Sequence, residues 1–232
     1  MNEQDIQRLA RRELLLKLAA AGALGAGGIL GLVRDALAAG SLPATPGFRY
    51  IRGPVGVDDT RASIGLNIKP GQTVMTGEGG EAVYIIGPDA FLQREKTKIS
   101  FEDSGGAQVM RVLSGKVLSA FGKGRERPRN LSLVTSTATI SIRGTGCYLE
   151  AEAARTYFCL CYGEAEVTAK GDPKQKEVIR SAHHDHPLVI NASGEKLLVP
   201  AKVVNHTDAE LTMLENTVGR WPPFQGQGGN RY

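Results

Sequence analysis

From Val55 onward, apolar and polar residues alternate in short runs, broken at roughly ten-residue intervals by Gly, Pro or Asp. In an extended chain such alternation places successive side chains on opposite faces, so the pattern predicts an all-β domain. The expected strands are Ala62–Ile68, Thr73–Thr76, Ala82–Ile86, Ala90–Gln93, Thr97–Phe101, Val109–Ser114, Lys116–Gly122, Leu131–Thr135, Ala138–Ile142, Gly146–Glu152, Thr156–Tyr162 and Glu164–Ala169. Pro70-Gly71, the run from Gly77 to Gly80, Gly87-Pro88-Asp89 and Gly105-Gly106 supply turn chemistry between them.

The character changes at the polar break from Gly171 to Lys176. Beyond it, Val178–Arg180, Leu188–Asn191 and Lys196–Asn205 read as further strands, the last interrupted at Pro200. Asp208 is the expected N-cap of a single helix with Leu211, Leu214 and Val218 on one face, ending at Gly219 before Pro222-Pro223. That helix is expected to pack back on the β-domain through Leu211, Leu214 and Trp221, and the Gly-rich tail from Gln225 is expected to be disordered.

A different pattern occupies the start of the chain. Arg11-Arg12-Glu13-Leu14-Leu15-Leu16-Lys17 precedes an uncharged Ala/Gly-rich run from Leu18 to Val33, and Ala36-Leu37-Ala38 offers a cleavage junction before Ala39. The segment resembles a twin-arginine signal peptide, with Arg11 and Arg12 as the signal pair and Ala38 and Ala39 at the cut. The uncharged run is shorter than the roughly 20 residues of a membrane-crossing helix. An uncleaved anchor stays open if Lys17 snorkels toward the headgroups. The expected organisation is a leader over 1–38, a β-domain over 50–170 and a β-plus-helix extension over 171–232. The expected location is periplasmic or exported, the alternative being a tether to the inner membrane facing the periplasm.

Composition then narrows the partners. Without residues 1–38 the chain keeps 23 basic against 20 acidic residues, a mild excess spread along its length. This lacks the one-faced basic footprint of nucleic-acid binding, and no nucleic-acid partner is expected.

Four segments in order resemble the FecR domain: Ile68 to Gly77, Gly80 to Ala90, Val109 to Val117, and Val134 to Gly146 with its Arg143-Gly144-Thr145. The resemblance spans about residues 55–169 and departs from the family at Cys147, where an aromatic residue is usual. It implies a FecR-like antiparallel β-domain, sandwich or β-roll, whose partner would be an envelope protein or a glycan. FecR proteins that regulate sigma factors carry a cytoplasmic domain before their membrane segment. Only thirteen residues precede Leu14 here, so sigma-factor signalling is not expected. Arg143 is expected to be structural, paired with a carboxylate or carbonyl.

All three cysteines and all four histidines fall in the last 86 residues. If the strands from Gly146 and to Tyr162 form a hairpin turned near Ala153-Ala154, Cys147 falls opposite Cys159, Leu160 or Cys161. Cys159 and Cys161, two apart, share a face. Three sulfurs could then meet His183-His184-Asp185-His186. One reading is a metal site of Cys147, Cys159, Cys161, His183, His184 and His186 for Zn, Cu or Fe, with Asp185 orienting a ring. A second is a disulfide from Cys147 to Cys159 or Cys161, and a third is small buried residues in a β-core. Paired-carboxylate, G-x-S-x-G and H-E-x-x-H signatures are absent from the sequence. The enzymatic reading left open is a Cys/His hydrolase or a thiol-redox protein, with His183 or His184 as base.

Overall fold

The computed structural model describes residues 45–104, 107–122 and 130–224. The expected leader, with Arg11, Arg12 and the Ala38-Ala39 junction, and the tail from Gln225 lie outside those residues. Among the described residues, no helix is long and apolar enough to cross a membrane.

The domain is all-β with one short helix near its C-terminal end. Its strands are β1 Gly47–Arg52, β2 Val55–Val57, β3 Thr60–Arg61, β4 Thr73–Thr76, β5 Glu81–Ile86, β6 Asp89–Gln93, β7 Thr97–Ser104, β8 Ala107–Ala120, β9 Asn130–Val134, β10 Ala138–Ala151, β11 Arg155–Ala169, β12 Lys176–Ser181, β13 Leu188–Asn191 and β14 Leu198–Pro200; the helix α1 is Asp208–Thr217. Pairing is antiparallel throughout except between β8 and β9, which run parallel from Ala107↔Asn130 to Arg111↔Val134.

Three long strands build both layers of a sandwich. The first half of β8 pairs with β7 and β9, and its second half with β6 and β10. Likewise the start of β10 pairs with β9 and the end of β11, while its second half pairs with β8 and the start of β11. Each strand therefore passes from one layer into the other. Glycine marks the bends: Gly115 in β8 has φ +89°, and a Cβ there would lie 2.2 Å from Thr97 Oγ1. This is why Val109–Ser114 and Lys116–Gly122, expected as two strands, are one strand with a bend. Gly163, with φ +103°, plays the same part in β11, where two expected strands have again merged.

Alternation along these strands yields two cores. Between the layers lie Phe48, Tyr84, Phe91, Val112, Leu133, Ile140, Leu149, Phe158 and Leu160, among others. On the far side of the layer that contains β5, β6 and the adjoining halves of β8, β10 and β11, a second apolar face is formed by Val83, Ile85, Leu92, Leu118, Tyr148, Cys159 and Cys161. That face is covered by Leu211, Met213 and Leu214 of α1 and by Phe224. A sheet layer buried on both sides needs such a cover, since each large apolar side chain gains about 1.5–3 kcal/mol on burial.

Several expectations change. Ala62–Ile68 is not a strand but a connection with Ile64 exposed, whereas β1 lies upstream of the alternating region. The strand expected over Lys196–Asn205 shrinks to Leu198–Pro200, because proline ends the ladder by lacking an N–H. Trp221 is 43% exposed, and the aromatic that closes over the sheet is Phe224. Arg143 does meet the expected carboxylate, Glu164 at 3.9 Å, but from an exposed position. The helix N-cap is Thr207, not Asp208: Thr207 Oγ1 accepts from Glu210 N, and Glu210 Oε2 accepts from Thr207 N at 3.0 Å, which completes a capping box.

Candidate metal centre

Cys159 and Cys161 face outward from the sandwich on β11, two residues apart, toward α1. Cys147 does not join them. In the β10–β11 register Cys147 opposes Leu160, and Tyr148 opposes Cys159. Cys147 and Leu160 therefore point into the sandwich, while Cys159 and Cys161 point away from it. The sheet separates these thiols, so the disulfide reading, from Cys147 to Cys159 or Cys161, is not realised, and all three cysteines are free.

Two loops carry histidines to the sulfurs. Between β12 and β13, His184 has a left-handed backbone with φ +56°, and its N–H donates to Cys161 O at 2.9 Å. That conformation turns its ring inward while His183 stays half-buried and His186 exposed. His186 joins neither of the two donor clusters found among the described residues. The fourth donor is His206, in the connection from β14 to α1, preceded by Asn205 at φ +59°. Asn and His are among the non-glycine residues that enter the left-handed region most readily, and here the two turns aim the donor rings at the sulfurs.

Cys159, Cys161, His184 and His206 are all buried, and their donor atoms lie within 4.8 Å of one another. Cys159 Sγ is 3.4 Å from His184 Nδ1, which is 3.1 Å from His206 Nε2. A tetrahedral ion with metal–sulfur bonds of about 2.3 Å and metal–nitrogen bonds of about 2.0–2.1 Å has donor–donor edges of about 3.3–3.8 Å. The Cys159–His184 and His184–His206 edges lie within a few tenths of an ångström of those values, and all the donors lie within 4.8 Å of one another.

The outer nitrogens determine what the inner ones can do. His206 Nδ1 lies 2.7 Å from Val204 O, which can only accept, so Nδ1 carries the proton and Nε2 presents its lone pair to the cluster. His184 Nε2 lies 3.1 Å from Asp208 Oδ1, again an acceptor, and so Nδ1 is the inward-facing nitrogen. Two lone pairs 3.1 Å apart repel unless a proton or a metal ion sits between them. A carboxylate or carbonyl behind each imidazole is the usual support of a metal-ligating histidine. Tyr148 fixes the His206 ring further, stacking on it at 4.6 Å between centroids with 16° between planes.

With protons alone in the cluster, the Cys161 thiol, His184 and His206 donate toward Cys159 and, against the opposing effect of burial, bring its pKa down to about 4. Burial pushes Cys161 well up, and it raises Cys147 as well. His184 rises because the attraction of Cys159 and Asp208 outweighs burial.

Cys159, His184 and Asp208 also spell out the nucleophile, base and orienting acid of a cysteine hydrolase. Cys159 is 0% exposed, however, and its sulfur faces Cys161 and the histidines rather than solvent. Closed burial of two thiols and two imidazoles suits ion binding better than attack on a substrate.

Sequence reasoning missed His206 as a donor and Asp208 as its neighbour's support. Neither lies near Cys159 in sequence. The cap at Thr207 is what frees the Asp208 carboxylate, as the first residue of α1, to meet His183 and His184.

No family model matches the chain, and no curated protein matches it. Two crystal structures of a proposed anti-sigma factor from Parabacteroides distasonis are similar to it, with TM-scores of 0.47 and 0.46 at 10% identity over 56% of this chain. The similar region spans 59% of that protein's length.

Proposed function

We propose that this protein is a metal-binding β-domain that holds one tetrahedral ion of the Zn²⁺ class on Cys159, Cys161, His184 and His206. The observation that carries this reading is the convergence of two sulfurs and two inward-facing imidazole nitrogens, each ring backed by an acceptor on its far side. A buried set of two thiolates and two imidazoles favours Zn²⁺ over harder ions. Four protein donors leave no open position, which makes the ion structural rather than catalytic. It would tie β11, the β12–β13 loop and the amino end of α1 together, so that the helix stays on the second apolar face.

Elemental analysis of protein purified without chelator tests this. One zinc per chain is expected, together with loss of the ion in Cys159→Ser. A metal-free protein whose stability does not respond to added zinc would end the reading.

A second reading concerns where the domain works. The Arg11-Arg12 segment and the four FecR-like segments support an exported module of the cell envelope that contacts a protein or a glycan. The two readings are compatible, since a twin-arginine route carries folded proteins and would allow the ion to be loaded before export. Fractionation of cells expressing the full chain and an Arg11→Lys/Arg12→Lys variant tests location. Cytoplasmic retention of the wild type would sink it.

A further inference from the structure

We infer that the chain has a second metal position, facing solvent, formed by His183, Asp208 and the outer nitrogen of His184. The inference rests on the inner ion proposed above, because the two positions share the His184 ring.

Asp208 lies between two imidazoles. His183 Nε2 is 3.0 Å from each of its carboxylate oxygens, and His184 Nε2 is 3.1 Å from Oδ1. All three residues offer a donor atom within 4.8 Å of the others. Edges near 3 Å are shorter than tetrahedral ones and match donors about 90° apart, as around a six-coordinate ion with bonds of about 2.0–2.2 Å. His183 is held in place by Phe224, whose ring lies 4.3 Å away, centroid to centroid. Its orientation therefore does not depend on the ion.

What separates this group from the inner one is access. The side chains of His183 and Asp208 are 21% and 20% exposed, against 1% for His184. Three protein donors on one side and solvent on the other leave coordination positions for water, the arrangement of an open rather than a closed site. Two imidazoles and a carboxylate suit a borderline divalent ion such as Zn²⁺, Co²⁺, Ni²⁺ or Fe²⁺. The position lies at the amino end of α1, where the helix dipole opposes a cation, and the Asp208 charge has to offset it. It is accordingly the weaker of the two. With Nδ1 on the inner ion and Nε2 on the outer, the His184 ring would bridge them as an imidazolate, the Nε2 proton now held against Asp208 being released to solvent as the second ion binds.

Cobalt(II) titration of the metal-free full chain distinguishes the positions, since thiolate-to-cobalt charge transfer reports the inner ion alone. Two cobalt ions per chain are expected by equilibrium dialysis, with the charge-transfer band complete at the first equivalent. His183→Ala should bind one cobalt with the band unchanged, and Asp208→Asn should also lose the second ion. A wild type that takes up one cobalt with full charge transfer would overturn the outer position and leave the inner one standing. Uptake of a second ion undiminished by His183→Ala would overturn it too. Uptake without any charge transfer would instead remove the inner site on which the proposal rests.

Discussion

The two cores of this domain are built by the same strands, yet they do different chemistry. Leu160 enters the sandwich interior with Phe158, Leu149 and Cys147, where contacts are apolar and no donor cluster occurs among the described residues. Cys159 and Cys161, one residue away on either side, enter the outer face, where His184, His206 and Asp208 gather under a helix. The difference teaches that a cysteine's neighbours in sequence say little about its role. The face it takes decides whether it is a small core residue or a ligand.

Exchanging the two kinds of cysteine is the strongest way to break this contrast. Cys159→Ser and Cys161→Ser are expected to lower zinc affinity by more than about 100-fold, beyond the range typical of residues that merely support ligands. Cys147→Ala should keep a full complement of zinc. Metal content after dialysis against a competing chelator reads both, and loss of zinc in Cys147→Ala would show that the faces are not separate.

Removing apolar volume from each core tests the same division through packing. Leu149→Ala and Leu214→Ala should each destabilise the fold by about 2–5 kcal/mol in denaturant unfolding. Only Leu214→Ala, which loosens α1 over the outer face, should also weaken zinc binding, because His206 and Asp208 adjoin that helix. Equal effects on zinc from both variants would contradict the division.

A smaller effect comes from the helix cap. Thr207→Ala removes the side chain that accepts from Glu210 N and should cost about 1 kcal/mol. Because His206 precedes the cap, zinc release from this variant should be measurably faster. Thr207→Ser should restore the wild-type rate.

The smallest effect lies at the β10–β11 turn, away from both cores. The Arg155 guanidinium, bonded to Glu152 at 2.9 Å through two nitrogens, holds the Glu152 carboxyl below its ordinary value. A depressed folded-state pKa contributes stability above the unfolded value, and that contribution is lost as pH falls through the folded value. Both side chains are more than half exposed, so the loss should be no more than about 1 kcal/mol. Glu152→Gln should therefore differ from wild type at neutral pH and converge with it in acid, with zinc content at neutral pH unchanged.

The fold was legible where alternation was clean. Thr73–Thr76 and Leu188–Asn191 match the expected strands to the residue, because turn residues on both sides end the ladder. It was least legible at Gly115 and Gly163, where glycine reads as a break but serves as a bend within one strand. The site was half legible. Cys159 and Cys161 share a face by the period of a strand, and His184 was among the expected ligands. Cys147 and His186 were expected with them and lie elsewhere. The register shift between Gly146 and Cys147, which leaves Cys161 as the extra residue on β11, puts Cys147 opposite Leu160, and such an offset has no local signature in sequence.

The sequence by itself determined the all-β class, the helix near the C-terminal end and the shared face of Cys159 and Cys161, since these follow from the periodicity of side chains along one strand or helix. Tertiary structure alone decided that His206 and Asp208 complete the cluster and that Cys147 does not. Which donors meet depends on pairing register and on how two left-handed loop residues turn the chain. Those are set by packing between segments far apart in sequence, which no local pattern records.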